Sequence, residues 1–210
     1  MKDIAQANEG KFQNPAVTAK GEPRATVALR GAETLWFNTG TLCNIECVNC
    51  YIASSPKNDA LVYITADEVR DYLDQIEERS WPVREIAFTG GEPFMNPQMI
   101  EITEASLERG YEVLILTNAM RPMMRKSVQK GLLRLRDAYP GRDLHDAERG
   151  EGAFDKTLTG MEWLRDNGFR MAVAGRSIFA DSDADSRAGY AAFYAEHGFD
   201  IDAQDPAMTV

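Results

Sequence analysis

Three cysteines stand in one short loop, Cys43-x3-Cys47-x2-Cys50, and the chain has no other. An odd, clustered set cannot pair entirely as disulfides. The N-terminus, Met1-Lys2-Asp3-Ile4-Ala5-Gln6, lacks the apolar run of a signal peptide, so the thiols point to a reduced compartment and a soft metal. Zinc is one candidate, but structural zinc is normally closed by four protein ligands in paired knuckles. Here a fourth ligand would have to be His145, His197 or a carboxylate, none at knuckle spacing. An iron–sulfur cubane suits a single tight loop better, and three thiolates on its four irons would leave one iron open to a small molecule.

A second stretch with chemical character is Thr89-Gly90-Gly91-Glu92-Pro93, directly after a predicted strand at Val83–Phe88. Two glycines allow a sharp turn and close approach of backbone to a ligand. A third, Thr117-Asn118-Ala119, closes the most apolar predicted strand, Tyr111–Thr117. Turn-forming asparagine is common, so Asn118 reads equally as a turn residue and as a neighbour of the site.

Taken together, Cys43-x3-Cys47-x2-Cys50 with the aromatic Tyr51 after it, and Gly90-Gly91-Glu92-Pro93 about forty residues on, resemble the two hallmark motifs of the radical S-adenosylmethionine (radical SAM) enzymes. Thr117-Asn118-Ala119 is similar to the Thr-Asn-Gly of that family. The resemblance covers roughly residues 33 to 200 and is strongest at the first two motifs. It implies a [4Fe-4S] cluster held by Cys43, Cys47 and Cys50, with S-adenosylmethionine chelating the open iron. Gly90, Gly91 and Glu92 would then hold the methionyl amino group, with Asn118 near the cofactor. The implied reaction is reductive cleavage to methionine and a 5′-deoxyadenosyl radical, which takes a hydrogen atom from an unknown substrate. An external reducing protein of flavodoxin or ferredoxin type is the implied electron donor. The competing readings are a cluster- or cofactor-binding protein without turnover, and a zinc-stabilised interaction module.

The elements that must position these loops follow from periodicity. Thr34-Leu35-Trp36-Phe37-Asn38 is predicted as a buried first strand. Thr65 and Glu68 form a capping box, and Val69, Tyr72, Leu73 and Ile76 make one helical face. Asn96 and Pro97 open a helix carrying Met99, Ile102 and Leu107 and ended by Gly110. A helix from about Arg121 to Tyr139 turns Leu132, Leu133 and Leu135 inward. Phe154, Leu158, Met161 and Leu164 make another face, Phe169–Gly175 a further parallel strand, and residues 186–197 a last helix.

Strands alternating with helices predict a parallel sheet, with every chemistry-bearing loop at its carboxyl end. The resemblance implies an α/β fold, a partial (βα)6 TIM-like barrel. With four strands counted, it is expected to lack the fourth strand and the C-terminal strands. That gap falls at residues 142–152, where His145-Asp146 and Arg149-Gly150 resemble a family loop, and His145 reads as a loop residue without chemistry. Arg176, beyond the later strand, could meet the cofactor or the substrate, or form a surface ion pair. Asp181-Ser182-Asp183-Ala184-Asp185 reads as a solvated loop and helix start, since the rest of a calcium loop is missing.

Length and composition set the outer limits. The 210 residues suffice for one core domain, here 33–200, with a flexible arm over 1–32 and a tail over 201–210. The arm carries a short apolar patch at Ala25–Leu29, either an edge strand or part of a disordered leader. Hydrophobic residues at 44% and charged ones at 27% are ordinary for a soluble protein, and no apolar run could span a bilayer, so the expected location is cytoplasmic. A net charge of −10 disfavours nucleic acid and anionic membranes as partners. With no second cysteine cluster in the chain, an auxiliary-cluster domain is not expected in it.

Overall fold

Thr34–Asn38 (β1) is extended because its β-branched and aromatic side chains suit a pleated, half-buried surface. In the computed structural model, which describes residues 14–28, 31–47, 50–139, 154–174 and 182–209, it starts a regular succession of elements. These are α1 (Ala66–Glu78), β2 (Glu85–Thr89), α2 (Met99–Glu108), β3 (Glu112–Ile115), α3 (Lys126–Ala138), α4 (Phe154–Asp166) and α5 (Asp183–His197). The strands form a parallel sheet in the order β1-β2-β3. Parallel neighbours require crossovers, which α1 and α2 provide. The architecture is that of a partial TIM-like barrel.

Register assigns the two faces. Leu35, Ile86 and Val113 lie side by side, as do Phe37, Phe88 and Ile115. Phe37 stacks on Phe88 (centroids 5.7 Å) and meets Tyr72 of α1 edge-on at 5.5 Å, so this face carries the helices. Val69, Leu73 and Ile76 of α1 and Met99 and Ile102 of α2 complete the core there. Each such side chain contributes about 1.5–3 kcal/mol on full burial. Trp36, Ala87 and Leu114 share the opposite face, where Trp36 remains 48% exposed. The first strand, expected to be buried, is therefore covered on its helix face alone, and only Phe37 in it is fully buried.

Helix boundaries obey their caps. Thr65 Oγ1 accepts from the Glu68 N–H and Glu68 accepts from the Thr65 N–H, the reciprocal box expected. Tyr72 is half exposed, although its edge meets Phe37. Asn96 does not cap α2. The chain first makes a 3-10 turn at Pro93–Met95, and Asn96 accepts from the Gln98 N–H (2.9 Å) while its amide donates to Ile64 O (2.8 Å). α3 begins later than Arg121, because Arg125 stays extended while its Nε donates to Pro122 O (3.0 Å). The Arg125 guanidinium also donates to Phe94 O, tying this start to the loop after β2. Leu132 and Leu135 are buried as expected, but Leu133 only in part.

The later strand does not form. Over residues 169–174 only an isolated parallel bridge occurs, Val173 with Thr209, so the described residues hold three strands rather than four. A strand needs a ladder partner, and no neighbouring strand reaches this stretch among the described residues. Instead, Val173 N donates to Met208 O at 2.8 Å, and Ile201, Ala203 and Thr209 are buried. Phe154, expected on an inward face, is 58% exposed and touches Phe193. α5 starts at Asp183, where Ser182 Oγ accepts from the Asp185 N–H (3.2 Å). The expected fourth-strand gap, His145, Arg176 and Asp181 lie outside the described residues.

The described residues of Met1–Gly31 belong to a compact unit of their own. Within it Val17 and Pro23 make an antiparallel bridge around a turn at Thr18–Glu22. The apolar patch further on forms no strand over residues 25–28, and Val27 is almost fully exposed. Among the described residues no helix is long and apolar enough to cross a membrane.

Candidate metal centre

β1 delivers the chain into the cysteine loop at the carboxyl end of the sheet. Thr39 continues the ladder, its N–H and hydroxyl both donating to Thr89 O (2.8 and 3.0 Å). The loop is then anchored from outside: Cys43 N donates to Ser55 O (3.2 Å) and Thr41 N to Leu61 O (3.2 Å). Cys50 N donates to Cys47 O (3.1 Å). Cys43 is buried, Cys47 and Cys50 half-buried, and none is in a disulfide.

The second loop lies directly against the first. Gly91 N donates to Gly40 O (2.8 Å) and Glu92 N to Leu42 O (3.0 Å). Such contact requires glycine. Gly90 has φ 141° and a Cβ there would stand 2.6 Å from Gly40 O, while a Cβ on Gly91 would overlap the Leu42 carbonyl. Glu92 is buried, and its carboxylate accepts from Phe94 N (3.0 Å), Thr117 Oγ1 (2.7 Å) and Asn118 N (2.8 Å). Burial holds this carboxyl above the ordinary carboxylate range, against the pull of those three donors. The side chain thus fastens the loop after β2 to the end of β3.

Asn118 completes the convergence. Its side-chain amide donates to Asn44 Oδ1 (2.9 Å) and reaches Cys43 Sγ at 3.8 Å, and its Oδ1 accepts from Met120 N (3.1 Å). Thr157 Oγ1 of α4 donates to the Asn118 carbonyl (3.1 Å). Beside it Gly160 is buried, and a Cβ there would overlap the Ala119 carbonyl oxygen. Ala119 itself has φ 53°, the left-handed conformation that glycine would adopt without strain. Tyr51, 65% exposed, shares a hydrogen bond with Thr89 Oγ1 (2.9 Å), latching the far end of the cysteine loop to β2.

The three thiols, the glycine pair, Glu92 and Asn118 are therefore brought to one end of the sheet. Among the described residues no three His, Cys, Asp or Glu side chains are drawn together tightly enough for a single metal ion. Burial pushes the Cys43 thiol up to about 11, partly offset by a hydrogen bond from the Ile45 N–H, with the charges of Glu92, Cys47 and Cys50 also raising it. A soft metal must displace that proton to bind. The donor set fits an iron–sulfur cluster: three thiols from one loop, with the Ser54 N–H already 3.2 Å from Cys50 Sγ. Reading the sequence missed Asn44, Ser54 and Gly160. Gly160 left a signal, since glycine within a helix disfavours it unless close packing demands it. The others are small polar residues whose importance depends on distant partners.

Comparison with known proteins agrees with this geometry. The sequence profile of the Radical SAM superfamily matches residues 37–178. An AdoMet-dependent heme synthase of Methanosarcina barkeri is 33% identical over 137 residues, 62% of this chain and 38% of that protein. The antilisterial bacteriocin subtilosin biosynthesis protein AlbA of Bacillus subtilis is 30% identical over 146 residues, 65% of this chain and 31% of that protein. Among solved structures, Streptococcus suis SuiB bound to S-adenosylmethionine has a similar fold, with a TM-score of 0.61 at 16% identity over 81% of this chain and 40% of that one. The chain spans less than half the length of each of these relatives.

Proposed function

This chain belongs to the radical SAM superfamily, and from that premise we propose that it binds a [4Fe-4S] cluster and S-adenosylmethionine and cleaves the latter reductively. When bound, the pair supplies a 5′-deoxyadenosyl radical able to take a hydrogen atom from a substrate. Cys43, Cys47 and Cys50 would hold the cluster through their thiolates. Gly90 and Gly91 present backbone to the methionyl end of the cofactor. Glu92 serves that end chiefly by fixing the loop, since three donors already occupy its carboxylate. Asn118, whose amide reaches Cys43 Sγ, would lie beside the cluster. The sheet face carrying Trp36, Ala87 and Leu114, opposite the helices, would be open to a substrate. A small reducing protein of flavodoxin or ferredoxin type delivers the electron.

The observation that carries this reading is the hydrogen-bonded joining of three strand-end loops, from Leu42 through Glu92 to Asn118 and back to Cys43. Anaerobically reconstituted protein given S-adenosylmethionine and dithionite is expected to release 5′-deoxyadenosine and methionine. An iron-loaded protein that releases neither would be a binder without turnover.

A further inference from the structure

Among the described residues, one buried side-chain polar atom has no hydrogen-bond partner: the hydroxyl of Ser54. Ser54 is 3% exposed, out of reach of bulk solvent, and an unmet buried hydroxyl costs about 1–3 kcal/mol. Its own backbone N–H is already directed at Cys50 Sγ (3.2 Å), which puts the hydroxyl within one side chain's reach of that sulfur. On the other side of the loop the Asn118 amide reaches Cys43 Sγ at 3.8 Å, carried there from the end of β3. One side-chain donor from outside the cysteine loop thus reaches a cysteine sulfur, and a second, the Ser54 hydroxyl, sits on the residue whose N–H already meets Cys50 Sγ and lacks an acceptor of its own.

We propose that Ser54 and Asn118 are potential-setting residues, donating hydrogen bonds to the sulfur shell of the cluster and so making it easier to reduce. The inference rests on the cluster assignment made above and adds the residues that tune it. Reduction places an extra negative charge on the cluster and its sulfurs, and a donor aimed at sulfur stabilises the reduced form more than the oxidised one. Asn118 thereby acts through Cys43 rather than as a ligand. The Ser54 hydroxyl finds in a cysteine or bridging sulfur the acceptor it otherwise lacks.

The test is a redox titration of the reconstituted protein, followed by the electron paramagnetic resonance of the reduced cluster. Asn118→Leu and Ser54→Ala are each expected to move the midpoint to lower potential. Loss of one such bond corresponds to about a tenfold fall in the reduced-to-oxidised ratio at fixed potential, roughly 59 mV for one electron. Thr157→Val removes a bond to the same turn without touching sulfur and is expected to leave the midpoint in place. If Asn118→Leu does not fold, Ser54→Ala decides alone. A loaded wild-type cluster whose midpoint neither substitution lowers overturns this inference while the cluster assignment stands. A Thr157→Val shift as large as that of Asn118→Leu overturns it too, by making the effect one of structure. Wild-type protein that takes up no iron removes both.

Discussion

Residues 32–139 and residues 154–209 hold together by different means. In the first stretch, backbone meets backbone: a parallel ladder, then loops that hydrogen-bond across one another at Gly40–Gly91 and Leu42–Glu92. In the second, side chains do the work, with Phe193 packed among Tyr194, His197 and Phe199, and Trp163 stacked on Phe169. Aromatic packing can shift and re-settle, whereas two carbonyls and two glycines in register cannot. The chemistry-bearing residues all sit in the unforgiving half. The other half reaches them where Thr157 and Gly160 of α4 press on Asn118 and Ala119.

The largest effect should come from Gly91→Ala, because its methyl would occupy the space of the Leu42 carbonyl and force the two loops apart. Thermal melting and iron uptake are both expected to collapse, and full iron uptake would show that the loops need not touch. Gly160→Ala tests the helical half in the same way, its methyl overlapping the Ala119 carbonyl. Here a lowered melting temperature is expected with most of the iron uptake retained, because α4 can move away. Uptake lost as completely as in Gly91→Ala would make α4 part of the site and erase the distinction between halves.

A smaller effect isolates Glu92. Glu92→Gln turns an N–H toward a donor, so metal-free protein should lose about 1–3 kcal/mol in urea unfolding, with no cofactor present. No change there would mean that the carboxylate matters only to a ligand. Smallest of all is Ala119→Gly. Relief of a left-handed φ worth about 1–2 kcal/mol should offset the lost methyl, leaving stability unchanged or slightly raised by the same assay. A clear loss would show that the turn draws its stability from the alanine side chain.

What could be read from the sequence was local. The Thr65–Glu68 box, the bounds of β1 and the delivery of each motif from the end of a strand all follow from neighbours within a few residues. What could not be read depended on distant partners. Residues 169–174 have the composition of a strand but, among the described residues, no ladder to join, and Trp36 and Phe154 are apolar yet about half exposed. That Glu92 also accepts from Thr117 and Asn118, 25 and 26 positions on, could not be read from its motif. Ala119 shows both sides: its place in Thr117-Asn118-Ala119 marked a glycine position, but only the fold reveals the strain carried there.

The decisive measurement is the iron and acid-labile sulfide content of oxygen-free, reconstituted wild-type protein beside Cys47→Ala. The three-thiol loop predicts about four of each per chain in the wild type and loss of the cluster absorbance in the variant. Zinc in their place, no metal at all, or an undiminished cluster in Cys47→Ala would contradict it.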